Sequence, residues 1–180
     1  MNVWKNYAEC NGEGEGKMYV YASPIGKLGI SVDEKGLRKI EFLGENDVTE
    51  SCEEENVLAI EVKEQLEEYF QGKRKKFNLP LAPYGTPFQL KVWSALQNIP
   101  YGETRSYKDI AIQVDNPKGC RAVGMANNKN PIPIIIPCHR VVGANGKPVG
   151  YAGGLDKKKF LLELEQGGRN DKRSKRNRTF

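Results

Sequence analysis

Hydrophobic and polar residues alternate in the first third of the chain. Residues 17–22, 27–32 and 36–43 are short β-prone runs, separated by the turn signals Ser23-Pro24 and Asp33-Glu34-Lys35-Gly36. They predict an antiparallel meander. The period then changes: Leu58, Val62, Leu66, Tyr69 and Phe70 recur at helical spacing until Gly72 breaks the pattern, which predicts a helix over 57–71. The stretch Asn78-Leu79-Pro80-Leu81-Ala82-Pro83-Tyr84-Gly85, with its two prolines, reads as a linker and places a domain boundary near residue 84.

The second half is patterned for helices. Thr86-Pro87-Phe88-Gln89 is a capping box with proline at the first helical position, leading into Val92, Trp93, Ala95 and Leu96. Ser106-Tyr107-Lys108-Asp109 caps a short second helix through Ile110 and Ala111 toward Val114, and Asn116-Pro117 is expected to start a third that runs to about Asn127. Two short helices across a tight turn form a helix-turn-helix pattern. On the third, Gly119, Ala122 and Ala126 fall on one face, which fits close docking on DNA and equally fits tight packing against a neighbouring helix. After Asn130-Pro131 comes Ile132-Pro133-Ile134-Ile135-Ile136, a buried-type run closed by Pro137. Cys138, His139 and Arg140 follow, then Val141-Val142 and a glycine-rich loop over 143–154, expected to be mobile.

Composition adds direction. A chain of 180 residues with 38% hydrophobic content can bury a core in one ordinary domain or two small ones. No apolar stretch reaches the roughly 18 to 20 residues that span a bilayer, and the N-terminus lacks a signal-peptide pattern, so the expected location is the cytoplasm, or the nucleus in a host that has one. Residues 1–84 carry a net −5, whereas 85–168 and 169–180 each carry +5. This asymmetry fits a polyanion meeting the middle and end of the chain, and also fits a solvated face. Residues 169–180 read as a basic disordered tail. Cys10, Cys52, Cys120 and Cys138 form no CxxC pair, and with one histidine no zinc ligand set is present; the cysteines read as reduced thiols.

The only histidine adjoins a cysteine, between a buried run and a glycine-rich loop. A cysteine becomes nucleophilic when a base or a positive charge favours its thiolate, and His139 and Arg140 can supply both. The other reading is a buried, inert cysteine beside a surface histidine. Neighbours in sequence tend to point their side chains in different directions, so a direct bond from 139 to Sγ of 138 is not assured, and a bridging water is a reasonable substitute.

The segment Pro131-Ile132-Pro133-Ile134-Ile135-Ile136-Pro137-Cys138-His139-Arg140-Val141-Val142 resembles the signature of the O6-alkylguanine-DNA alkyltransferases, also called methylated-DNA-protein-cysteine methyltransferases. The resemblance continues through Ile99-Pro100-Tyr101-Gly102-Glu103-Thr104, Ser106-Tyr107, Asn116-Pro117 and Arg121-Ala122-Val123-Gly124, and through Gly150-Tyr151-Ala152-Gly153-Gly154-Leu155 to Phe160-Leu161-Leu162. It covers residues 85–166 well and the first half more weakly. It implies an α+β fold with an N-terminal ribonuclease H-like domain over 1–84, an antiparallel sheet with helix. A mainly helical DNA-binding domain with a helix-turn-helix would follow over 85–168.

The roles it implies attach to residues here as follows. Cys138 would accept the alkyl group, His139 would be its base through a water, and Glu165 would orient the imidazole. Tyr107 would donate a proton to the leaving purine, and Asn130 would hold the turn carrying Cys138. Arg121 would fill the gap left by a flipped nucleotide, with Ala122 and Gly124 beside it on DNA. Val141, Tyr151, Ala152 and Gly153 would line the base pocket.

The reaction implied is stoichiometric and irreversible alkyl transfer from O6-alkylguanine in double-stranded DNA, and from O4-alkylthymine, with no cofactor and no metal, by a monomer that is not membrane-bound. A non-catalytic lesion sensor would lack the acceptor cysteine, and a cysteine peptidase would draw its histidine from elsewhere in the fold. Asn127-Asn128 replace a Met-Arg or similar pair of some relatives, which bears on packing beside the pocket. Cys120, next to Arg121, reads as a gap filler.

Overall fold

A computed structural model of the chain describes residues 18–45, 47 and 56–167. The tail expected over 169–180, and Cys10 and Cys52, lie outside the described residues. Strands β1 (Met18–Ser23), β2 (Gly26–Asp33) and β3 (Gly36–Phe42) form an antiparallel sheet in the order β1-β2-β3, the expected meander. Tyr19 pairs with Ile30 and Ile30 with Ile40, so one face collects apolar side chains. Leu37 and Ile40 are three residues apart, and strict alternation would send them to opposite faces. An irregularity in register at Ser31/Val32 inserts one residue, and both are buried. Helix α1 (Val57–Phe70) covers this face with Ala59, Val62, Leu66 and Tyr69.

The linker is a strap rather than a free spacer. Leu37 donates its N–H to the Pro80 carbonyl (2.8 Å) and accepts from Ala82 N–H (2.9 Å), so the proline-rich stretch runs along β3. Gly36, at φ 139°, is required here, because a β-carbon would collide with the Pro80 carbonyl.

Helix α2 (Pro87–Gln97) starts at the expected capping box, with Thr86 and Gln89 bonded reciprocally. Ser106 and Asp109 do the same for α3 (Tyr107–Gln113). The third helix of this half, α4 (Cys120–Asn128), begins later than Asn116-Pro117. Those residues form a turn instead, with Gly119 N–H bonded to the Asn116 carbonyl at 2.8 Å and the Asn116 amide filling the space a side chain at 119 would need. The small-residue stripe is therefore split. Gly119 lies outside the helix, Ala122 is exposed, and Ala126 is buried with its carbonyl accepting from Trp93 Nε1 at 2.9 Å. Cys120 is half-buried against the core, as a gap filler would be. Helix α5 (Leu155–Glu165) closes the described chain. No helix among the described residues is long and apolar enough to cross a membrane.

Candidate functional site

The apolar run 132–136 is fully buried but is a turn, not a strand. Ile134 sits at φ 76°, an uncommon conformation for a β-branched residue, and Ile136 N–H reaches back to the Ile132 carbonyl at 2.9 Å. Asn130 holds this shape from both ends, accepting Ile132 N–H on Oδ1 (3.0 Å) and donating Nδ2 to the Ile136 carbonyl (2.7 Å). Pro137 then adopts φ −81° and ψ 62°, with Cys138 N–H on the Ile136 carbonyl at 2.8 Å. This is an inverse γ-turn that delivers Cys138 to the first position of a 3₁₀ turn (Cys138–Arg140). Immediately after it, β5 (Val141–Val142) pairs in parallel with β4 (Arg105–Ser106), and so Cys138 and Tyr107 are brought near each other from opposite ends of one short ladder.

Cys138 is buried, and burial pushes its thiol up to about 11 even though the Asn130 side chain, the Lys158 charge and two backbone N–H groups pull the other way. At neutral pH it is a thiol, so it needs a base. His139, fully buried, is depressed by burial despite the opposing carboxylate of Glu165, which makes it a neutral imidazole. Its Nε2 lies 2.7 Å from Glu165 Oε1 and carries the proton, since a carboxylate can only accept. The free lone pair is then on Nδ1, which is buried and makes no hydrogen bond to protein, so no direct bond joins it to the thiol.

Glu165 is saturated. Oε1 accepts from His139, Tyr69 Oη (2.7 Å) and Arg140 Nη2 (3.0 Å), while Oε2 accepts from Arg140 Nε (2.9 Å) and Gly102 N–H (3.2 Å). Burial raises its pKa, but the bonds and charges of His139 and Arg140 outweigh that and hold it at about 2.

Tyr107 donates to the Val149 carbonyl at 3.1 Å, and its phenol is raised by burial and by the nearby Cys138. The Tyr151 hydroxyl is buried close to Cys138, where burial and the neighbouring sulfur keep the phenol protonated, with its ring edge-on to Phe42 at 5.9 Å. Gly153 presses on the Phe42 ring so closely that a β-carbon would clash. Val141 is buried, Ala152 is exposed, and Gly124 faces Tyr107 at an ordinary contact distance. Arg121 and Ala122 are exposed on the first turn of α4. Asn127 is buried, its Nδ2 3.4 Å from the Cys138 carbonyl. The structure thus gathers Cys138, His139, Glu165, Asn130, Tyr107 and Tyr151 around one point and leaves Arg121 and Ala122 on the surface.

Two residues of this cluster carry no assignment from sequence. Lys158 is fully buried, and Nζ donates to the carbonyls of Val141 (2.6 Å), Val149 (2.8 Å) and Gly150 (3.1 Å). Within Lys157-Lys158-Lys159 it reads as part of a solvated run. The available signal is its spacing from Leu161, Leu162 and Glu165, the buried face of α5. Tyr69 reads as one more core residue of α1, and its partner 96 positions away leaves no local trace.

Both halves of the chain match family models. Residues 17–83 match the ribonuclease-like domain, and residues 87–167 the DNA binding domain, of 6-O-methylguanine DNA methyltransferase. The methylated-DNA–protein-cysteine methyltransferase of Methanosarcina acetivorans is 54% identical over 149 residues, covering 81% of this chain and 96% of that protein. The constitutive enzyme of that name from Bacillus subtilis is 48% identical over 152 residues, covering 80% and 92%. Mycobacterium tuberculosis OGT in complex with DNA superimposes with a TM-score of 0.76 at 43% identity, over 84% of this chain and 94% of that one. By these matches across both halves, the chain belongs to the 6-O-methylguanine DNA methyltransferase family.

Proposed function

We propose that this protein repairs DNA by moving an alkyl group from O6 of guanine in duplex DNA to Sγ of Cys138, once per molecule. The observation that carries the reading is the relay behind the thiol: a buried Cys138 that is not ionised, a neutral His139 with Nδ1 free, and Glu165 fixing the tautomer. His139 Nδ1 takes the thiol proton through a bridging water, and the sulfur attacks the sp³ carbon of the alkyl group. The C–O6 bond breaks with its electron pair passing to the purine, which gains a proton at N3 from Tyr107. Burial keeps the Tyr107 phenol protonated until negative charge develops beside it, and it exchanges the Val149 carbonyl for the purine. The product is a thioether, which water does not reopen, so the protein is consumed.

Asn130 holds the turn in this scheme. Val141, Tyr151, Ala152 and Gly153 line the base pocket, and small groups at 152 and 153 admit a planar ring. Helices α3 and α4 act as the helix-turn-helix of a DNA-binding half over 85–168, with the exposed Arg121 and Ala122 facing DNA, Gly124 beneath, and Arg121 entering the stack behind the flipped nucleotide. Residues 1–84 form the partner domain and the basic stretch 169–180 adds phosphate contacts. The test is intact-protein mass spectrometry after incubation with an O6-methylguanine duplex. Wild type gains one methyl in place of one hydrogen, Cys138→Ser gains nothing while still binding DNA, and uptake by that variant would sink the assignment.

A further inference from the structure

Among the described residues, each donor that reaches the Glu165 carboxylate belongs to the second half of the chain except one. Gly102, His139 and Arg140 surround it from nearby loops, whereas Tyr69 comes from α1, under the N-terminal sheet. Its hydroxyl and the His139 ring compete for the same oxygen, Oε1, at the same distance of 2.7 Å. The phenol is fully buried, and its ring is wedged between Phe70 and Tyr101, both edge-on, and Phe77. It cannot swing away. Burial and the Glu165 charge keep it protonated, so it can only donate to this carboxylate.

We propose that Tyr69 is a positioning residue for alkyl transfer, its hydroxyl sharing Glu165 Oε1 with His139 so that the imidazole stays aligned with Nδ1 toward the thiol. Arg140 bonds both carboxylate oxygens, and Tyr69 adds a donor to Oε1 from the first half of the chain. Without the hydroxyl, Oε1 turns toward its remaining donors, the bond to His139 Nε2–H shortens, and the ring is drawn away from Cys138. The other titratable groups facing this pair are Arg140, Lys158, Cys138, Tyr101 and Tyr151, and Tyr69→Phe leaves each of these side chains in the molecule.

The inference rests on Cys138 being the alkyl acceptor, and the experiment separates the two. His139 is the only histidine in the chain, so its Nε2–H proton is unambiguous in a nitrogen-labelled NMR spectrum. Tyr69→Phe should move that proton downfield and slow single-turnover transfer by roughly three- to tenfold. A ring-fluorinated tyrosine at 69, the same shape with a more acidic and stronger-donating hydroxyl, should move the proton upfield. Proton shifts of opposite sign cannot come from lost packing. If neither variant displaces the proton, or if displacement leaves the transfer rate at the wild-type value, the role of Tyr69 is overturned. Wild-type protein that takes up no alkyl group overturns the acceptor reading instead.

Discussion

Burial sets the protonation of Cys138 and His139 in a way that decides the order of events. Desolvation lifts the thiol to about 11 and depresses the imidazole below its ordinary 6.5, so both rest neutral across the physiological range. A thiolate waiting in the site would be open to oxidation; a thiol ionised only when a base is aligned is protected. The transfer rate should therefore hold its plateau as the pH is lowered through 6.5, because His139 gains a proton only at lower pH. Single-turnover rates on a methylated duplex check this, and an acid limb centred at or above 6.5 would contradict a neutral buried base. On the exposed first turn of α4, in the DNA-facing role proposed for it, Arg121→Ala should slow repair of duplex by roughly ten- to a hundredfold, about 1.4 to 2.7 kcal/mol, and barely change reaction with free O6-alkylguanine, which has no stack to leave. Tyr107→Phe should slow both, since the proton donation proposed for this phenol is needed whether the purine comes from duplex or is free. If Arg121→Ala weakens DNA binding but leaves the saturated duplex rate intact, the side chain holds phosphate and does not support a flipped base.

At the scale of elements, what sequence revealed and what it hid divide along contact range. The capping boxes at Thr86 and Ser106, the three strands and the end of α1 near Gly72 are written in residues within four positions of each other, and all appear as expected. The start of α4, the register shift beside Val32 and the strap along β3 depend on partners elsewhere, and local pattern carries little of them. The site shows the same split. Cys138 and His139 are conspicuous as neighbours and as a family signature, whereas Lys158 is masked by lysines on both sides. Its amine gathers the carbonyl of Val141, just before the 143–154 loop, and those of Val149 and Gly150 within it, and three acceptors call for the three hydrogens of an ammonium. Burial lowers Lys158 to about 8, opposed by its neighbour Cys138 where that thiol ionises, and the carbonyls favour the charged form further. The middle of the loop is thus tied to the strand that precedes it. Lys158→Met should cost on the order of 2 to 4 kcal/mol in urea unfolding, because buried carbonyls lose their donor, and should slow transfer through a loosened pocket wall. A variant as stable as wild type would mean that water replaces the amine without loss.

Across the whole molecule, the acidic first half and the basic second half meet at the site itself. Ile40 donates its N–H to the Pro131 carbonyl at 2.9 Å, Phe42 packs on Tyr151 and Gly153, and Tyr69 reaches Glu165. The N-terminal sheet and helix therefore brace the turn before Cys138, one wall of the pocket and the end of the relay. Stability and chemistry share the same buried ions, and acid should expose this. Glu165 stands at about 2 in the folded chain against an ordinary 4.5, so it contributes stability that is fully present above about 4.5 and lost as the pH falls toward 2. His139, depressed below 6.5, adds to this from higher pH, since the unfolded chain takes up its proton first. Unfolding free energy should thus begin to fall as the pH drops below about 6.5 and fall more steeply below 4.5. Glu165→Gln removes the carboxylate term, so it should be less stable at neutral pH and show a shallower decline between 4.5 and 2. Urea titrations at stepped pH measure both slopes. Parallel curves for the two proteins in that window would mean that other carboxylates govern acid unfolding and that the Glu165 network, for all its bonds, is not where the two halves hold together.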